Sequence, residues 1–547
     1  MKRILNTLAL CAIVVAAASC SKSRAEQMKM VDNIAVTCNP EVLALVGDKI
    51  PADITVTYPD GYFHPKAVMV VTPVLVYEGG EQAAPALTYQ GEKVLDNYKV
   101  VSSNGGTVKE KLSFTYAPGM EKSYLELRST VYYGKKSYDV PAIKVADGLN
   151  TTQNLAVTTG DYSFKKDNYQ EVIHEQTEGQ IMYDKNSANI KSSELRSESI
   201  KELQAALEEI AGDPRYTVKS TSVVAYASPE GGQDLNAKLS DKRAESAQSA
   251  WNKVTGGMKT DNLEVKSMGQ DWEGFQEAVS NSNIEDKELI LRVLSMYSDP
   301  AVRESEIRNM SQVYTEINKS VFPELRRARF IAEVDYQNFT DAELEELASK
   351  AVDLLDEEGL LRVAANASSA ERKAELYRTA VSKYGSDRAK FNLACLSLDE
   401  GKLEVAAAYL KGIKNSDADV LNAQGVCELQ KGDYDAASKL FKQSGTDEAK
   451  ANLGTIELLK GNYSAAAAQL SGTSGKNKAL ALILDGQLDA ASEAITCNCA
   501  KASYLKAIIA ARKGQASAVK SNLSAVSEKN AELKARSEKD VEFANYR

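Results

Sequence analysis

The sequence predicts a multidomain α+β protein: an N-terminal β-sandwich, a central α/β sandwich and a C-terminal α-helical repeat solenoid. Three observations carry that prediction. Over residues 32–147 apolar residues alternate in short runs between turn signals, over 148–338 strand and helix patterns alternate, and from 339 to 547 an alanine-rich helical pattern recurs around spaced glycines. A chain of 547 residues, at about 150 residues per domain, has room for three or four such bodies.

In the first region Ile54, Val56 and Tyr58 alternate with small polar residues, Val68 to Val76 is a β-branched run, and Leu112, Phe114 and Tyr116 alternate ahead of Leu125 and Leu127. Pro59-Asp60-Gly61, Gly79-Gly80, Asn104-Gly105-Gly106 and Pro118-Gly119 separate them as turns. Short strands at this spacing predict a β-sandwich of immunoglobulin size. In the second region Ile200, Leu203, Leu207 and Ile210 share one helical face, Thr217 to Ala227 is a β-branched strand, Leu235 to Val254 is amphipathic, and Leu263 to Met268 and Arg329 to Val334 are strands. Helical sequence from Trp272 to Lys319 is inserted before the last strand. After Phe339 the glycine-led pattern of Gly401-Lys402-Leu403-Glu404-Val405-Ala406-Ala407 returns at Gly432, Gly461, Gly486 and, loosely, Gly514, at spacings of 31, 29, 25 and 28 residues. Helix, glycine turn and helix repeated in this way predict a solenoid, because neither helix buries its apolar face alone.

Composition narrows the function classes. Charged residues make up 26% of the chain and the formal charge is -10, which disfavours a basic nucleic-acid binder. His64 and His174 are the only histidines, so serine- or cysteine-histidine catalysis and multi-histidine metal sites have little material. No catalytic residue, cofactor or metal site is expected. Of seven cysteines, Cys38, Cys395, Cys427, Cys497 and Cys499 lie beyond residue 20; the odd number forbids complete pairing, and Cys497-Asn498-Cys499 has no second pair to complete a zinc set.

The N-terminus carries an export signal over residues 1–19. Lys2 and Arg3 precede an apolar run from Ile4 to Ala18 that is too short to span a bilayer, and Ala17-Ala18-Ser19 stand before Cys20. This resembles the lipobox of bacterial lipoproteins, which implies lipidation of Cys20 and a membrane held as partner through that lipid. Loss of Lys2 and Arg3 takes the charge from -10 to -12, so the lipid, not electrostatic attraction, would hold the protein at an acidic surface. Ser21, Lys22, Ser23 and Arg24 offer no acidic export tract, and an outer-membrane, periplasm-facing location is expected.

The segment Ala225-Tyr226-Ala227-Ser228-Pro229-Glu230-Gly231-Gly232-Gln233-Asp234-Leu235-Asn236-Ala237-Lys238-Leu239-Ser240-Asp241-Lys242-Arg243-Ala244 resembles the signature of OmpA-like domains, with Asn236, Leu239, Ser240, Arg243 and Ala244 in register. The resemblance covers Gly179 to Tyr336 and implies binding of the peptidoglycan stem, a loop aspartate and the helix arginine reading opposite charges of diaminopimelate. By position the arginine is Arg243, while Ser228 stands where the family has aspartate. One missing charge-assisted bond is worth about 1.5–3 kcal/mol. Glu230 or Asp234 could supply a replacement carboxylate. The alternative is that Asn236 and Arg243 only cap and brace the loop-helix junction. The repeats look like tetratricopeptide repeats, which implies a concave surface that recruits a protein partner.

Two functions follow as expectations. One is a lipid-anchored scaffold that tethers the outer membrane to peptidoglycan or recruits proteins through its repeats. The other is an accessory subunit of an outer-membrane assembly, secretion or transport complex, with wall binding lost.

Overall fold

The computed structural model describes residues 28–29, 31, 33–257 and 263–547. Residues 1–19, read as an export signal, and Cys20 lie outside the described residues. The fold is mixed, β-rich toward the N-terminus and helical toward the C-terminus, and it divides into two compact units, 1–165 with 381–547 and 166–380.

The first unit begins with strands β1 (Ala35–Asn39), β2 (Val42–Ala44), β3 (Lys49–Tyr58), β4 (Val68–Tyr77), β5 (Gly80–Ala83), β6 (Leu87–Gln90), β7 (Lys99–Val100), β8 (Gly106–Thr115), β9 (Ser123–Tyr133) and β10 (Lys136–Asn150). They form a three-stranded sheet, β1-β3-β8, and a seven-stranded sheet, β2-β10-β9-β4-β6-β7 with β5 on β4. Strict alternation in β3 sends Ile50, Ala52, Ile54, Val56 and Tyr58 inward, where they meet Met69, Val71, Leu125, Leu127 and Val131 of the larger sheet in one core.

The second unit is built on strands β11 (Val172–Met182), β12 (Tyr216–Ala227), β13 (Leu263–Gln270) and β14 (Arg327–Gln337), ordered β11-β14-β12-β13 with only the β12-β13 pair parallel. Helices α1 (Glu198–Gly212) and α2 (Gln233–Val254) pack with the sheet. Ile200, Leu203 and Leu207 of α1 share a core with Ala244, Ala247 and Trp251 of α2 and with Val223, Phe330 and Ala332 of the strands. The inserted sequence folds as four ten-residue helices, α3 (Trp272–Asn281), α4 (Lys287–Met296), α5 (Pro300–Asn309) and α6 (Ser311–Ser320), around a core of Phe275, Val279, Ile290, Leu294, Ile307, Ile317 and Phe322. Helices α7 (Asp341–Lys350) and α8 (Glu357–Asn366) follow, and α9 (Ala370–Tyr384) carries the chain out of this unit.

Back in the first unit, helices pair as hairpins: α10 (Asp387–Asp399) with α11 (Leu403–Lys411), α12 (Ala418–Lys431) with α13 (Tyr434–Ser444), α14 (Asp447–Leu459) with α15 (Tyr463–Gln469), α16 (Lys476–Leu484) with α17 (Leu488–Ala494), and α18 (Ala500–Arg512) with α19 (Ala516–Lys529). A short α20 (Ala531–Ser537) and a final 3-10 turn close the chain. Gly401, Gly432, Gly461, Gly486 and Gly514 all take the left-handed conformation that ends the first helix of each pair, with φ from 68° to 86°. Their spacing was readable in the sequence because only glycine adopts that conformation without steric cost.

Two boundaries differ from the sequence reading. Residues 339–380, read as solenoid, belong to the unit of the four-stranded sheet, and residues 148–165, read as the start of the middle domain, belong to the first unit. Helical periodicity shows that a helix has an apolar face but not which body that face packs on.

Candidate functional site

The residues singled out by the OmpA-like signature lie together where β12 passes into α2. Arg243 is 0% exposed. Its Nε donates to the Ser187 carbonyl at 2.9 Å, Nη1 to the Tyr226 carbonyl at 2.8 Å and Nη2 to the Asp184 carbonyl at 3.1 Å, with the Tyr183 ring 5.0 Å from the guanidinium. Burial pushes its pKa down to about 10, so it stays charged at neutral pH. Asn236, also buried, donates to the carbonyls of Ser228 and Gly231 at 3.1 and 2.8 Å. These two side chains therefore hold three short stretches of backbone: the turn after β11, the end of β12 and the loop before α2.

The Ser228 hydroxyl donates to Glu230 Oε1 at 3.0 Å. Glu230 in turn faces Arg326 at 2.8 Å and Lys185 at 2.9 Å. Burial alone would raise the Glu230 pKa, but Lys185, Arg326 and Ser228 more than reverse it and hold the carboxyl below its ordinary value. Asp234 sits in the first turn of α2. The loop thus contains an acid, as the sequence suggested, yet its charge is matched by two cations of the same unit. A neighbouring pair, missed from the sequence, joins Asp271 to Arg327 at 2.9 Å; Asp271 also caps α3 through the Gly274 N–H at 2.9 Å. Both members are far apart in sequence, so no local motif marks them.

A second constellation lies in the first unit, and no motif foretold it. After β10 the chain runs through a 3-10 turn, Thr152–Leu155, and then without regular structure to Lys165. Along that path four asparagines of the helical array take up its backbone. Asn477 Oδ1 accepts from the Val157 N–H at 2.8 Å and its Nδ2 donates to the Val157 carbonyl at 2.7 Å. Asn452 accepts from the Asp161 N–H at 2.7 Å and donates to the Asp161 carbonyl at 2.9 Å, which Asn422 also reaches at 2.9 Å. Asn392 makes the same two bonds to Lys165, at 2.8 and 2.9 Å. Each asparagine comes from the first helix of a hairpin, and the residues they hold are four apart.

Side chains add to the main-chain pairs. Lys165 Nζ meets Asp417 at 2.6 Å and Asp419 at 2.8 Å and lies over the Phe391 ring; the Tyr162 hydroxyl donates to Asp399 at 2.5 Å, and Ser163 to Glu448 at 2.6 Å. Gly160 has φ +76°, and a Cβ there would come within 2.7 Å of the Val426 methyl carbons.

Upstream, Gln153 ties three parts of the unit together. It donates to the carbonyls of Gly47 and Leu459 and accepts from the Gly47 N–H and the Tyr463 hydroxyl. Glu542, its side chain 7% exposed, accepts from Arg512, from Asn150 Nδ2 at 2.8 Å and from the Thr152 hydroxyl at 3.0 Å. Burial alone would raise its pKa, but Arg512, Asn150 and Thr152 bring it below 4.5. A carboxyl with a lowered folded-state pKa stabilises fully above its unfolded value and loses that contribution as pH falls through the folded value. The first unit is therefore expected to weaken below about pH 4.5, and Glu542→Gln to flatten that acid limb; an unchanged slope in acid-denaturation curves would contradict it.

Five cysteines are free among the described residues. Burial raises the thiols of Cys38 and Cys427 to about 11, which leaves them inert, while Cys497 and Cys499 place their sulfurs 3.0 Å apart near the start of α18. Among the described residues no group of three His, Cys, Asp or Glu side chains is placed to hold a metal ion.

No protein-family model matches the chain, and no curated protein matches it. Among solved structures, it is similar to a tetratricopeptide repeat protein from Parabacteroides merdae, at 14% identity and a TM-score of 0.29, over 36% of this chain and 88% of that one. It is also similar to Salmonella alpha-2-macroglobulin reacted with methylamine, at 11% identity and a TM-score of 0.14, over 85% of this chain and 27% of that one. Likenesses of this strength assign no family, and the functional reading rests on the geometry alone.

Proposed function

We propose that the chain is a non-catalytic scaffold, anchored by a lipid on Cys20 at the periplasmic face of the outer membrane, that serves as an accessory subunit of a membrane-protein assembly. Its OmpA-like unit would meet a protein partner instead of the peptidoglycan stem. The observation that carries this choice is the state of Arg243: three of its donors already go to backbone carbonyls, and the side chain is fully buried. Glu230, beside the position of the missing family aspartate, is matched by Arg326 and Lys185, so its charge is already taken, and the buried guanidinium offers no surface to a zwitterionic ligand. The helical insertion α3–α6 adds protein surface to the same unit, and the repeats add more.

Two measurements test the reading. The purified protein is expected to stay in the supernatant when isolated wall sacculi are sedimented, and crosslinking in intact cells is expected to join it to a defined outer-membrane protein. Co-sedimentation with sacculi that free diaminopimelate-containing stem peptide competes away would restore the wall-tethering function and sink the proposal.

A further inference from the structure

We propose that the asparagine-bearing face of the helical array is a receptor for a polypeptide segment without regular secondary structure, which the chain plugs with its own segment Val157–Lys165 and which a partner's segment of matching spacing occupies by displacing the plug. This deepens the scaffold reading above and rests on it. Asn477, Asn452 and Asn392 each satisfy both the N–H and the C=O of one residue, at Val157, Asp161 and Lys165. Such paired bonds read the backbone at every fourth residue and are indifferent to most side chains.

Selectivity comes from three positions. Gly160 fits against Val426 only without a Cβ, Tyr162 reaches Asp399, and Lys165 reaches Asp417 and Asp419. The partner segment would thus carry a glycine, a tyrosine two residues later and a lysine three beyond that.

The segment divides into two halves with different burial. Thr151, Thr152, Gln153 and Leu155 are buried, and Gln153 and Thr152 are fixed to both the sandwich and the array. From Val157 onward the chain lies at the surface: Thr158, Thr159, Asp161, Ser163 and Phe164 are exposed. The second half makes no helix or sheet hydrogen bonds and contributes no residue to the hydrophobic core except the half-buried Tyr162. It can leave without dismantling either body, because the buried half keeps the sandwich docked. A tethered ligand acts at an effective concentration of order millimolar, so a free peptide of equal affinity competes poorly until the plug is weakened.

The test uses the purified full chain and a fluorescein-labelled peptide of sequence Val157–Lys165, read by anisotropy. Gly160→Val with Lys165→Glu, which sets a β-branched residue against Val426 and a like charge against Asp417 and Asp419, is expected to bind the peptide at least tenfold more tightly than the unaltered protein. Adding Asn422→Ala and Asn452→Ala to that variant is expected to undo the gain. Equal binding by the unaltered chain and a folded plug variant would overturn the proposal.

Hydrogen exchange on the unaltered chain gives a readout independent of any variant. The amides of Val157, Asp161 and Lys165 are expected to exchange at least tenfold faster than those within α12; exchange at one common rate would make the segment a permanent brace and end the proposal. Sacculus sedimentation is insensitive to the plug, so failure here leaves the scaffold reading standing, and failure there leaves the peptide site intact.

Discussion

Replacing Arg243 with alanine is expected to destabilise the second unit by about 3 kcal/mol or more, at about 1 kcal/mol or more for each of three carbonyls that lose their donor. The loss has two sources. Three backbone carbonyls, of Asp184, Ser187 and Tyr226, lose their donor, and the departing side chain, itself fully buried, leaves a cavity beside Tyr183. Arg243→Lys is expected to cost less but still be destabilising, because one ammonium cannot span three acceptors that a planar guanidinium reaches from different edges.

The two units can be followed separately. Trp251 and Trp272, the only tryptophans, both lie in the second unit, whereas the helical circular dichroism comes about equally from the two units. Denaturant titration should therefore move the tryptophan transition and leave much of the helical signal in place. An Arg243→Ala protein with an unshifted tryptophan transition would show that the arginine braces nothing. The same experiment governs how wall-binding assays are read, since loss of binding in that variant would report unfolding as readily as a lost ligand contact.

What the sequence revealed, and what it hid, follows from whether the physics is local. Strand alternation in Lys49–Tyr58, the helical face of Ile200, Leu203, Leu207 and Ile210, and the repeat glycines are local signals, and each corresponds to an element of the structure. The OmpA-like signature brought Ser228, Glu230, Asn236 and Arg243 to one junction, but their partners were hidden. Arg326, Lys185 and the carbonyls of Asp184 and Ser187 come from other parts of the chain, and only the fold reveals that their charges and donors are already matched.

The asparagine ladder was half visible. Asn392, Asn422, Asn452 and Asn477 each stand nine or ten residues ahead of a repeat glycine, a periodic polar residue inside an apolar helix pattern. A buried asparagine at a repeating position demands a hydrogen-bond partner. Its identity could not be read, because Val157–Lys165 has neither apolar periodicity nor a motif, and it pairs through backbone atoms that every residue shares.

The ladder's middle rung is the place to test how much that pairing contributes. Asn452 is 0% exposed, accepts from the Asp161 N–H, and donates both to the Asp161 carbonyl and to Asn422 Oδ1 at 3.0 Å. Asn452→Ala removes all three bonds at once and leaves Asn422 Oδ1 buried without that donor. At about 0.5–1.5 kcal/mol net per bond, with a further penalty for an orphaned acceptor, the first unit is expected to lose about 2–4 kcal/mol. Asn477→Ala is expected to cost less, about 1–2 kcal/mol, because that residue is only half-buried and water can replace what it gives Val157. Asn452→Asp supplies the sharper contrast. It keeps an acceptor for the Asp161 N–H but loses the donor, and it turns a carboxylate toward the Asp161 carbonyl and Asn422 Oδ1. It should therefore be no better than alanine, although it is nearly the same shape. If denaturation followed by helical circular dichroism ranked Asn452→Ala with Asn477→Ala, the rungs would be independent contacts; the predicted order requires that Asn422 and Asn452 hold the Asp161 carbonyl as one network.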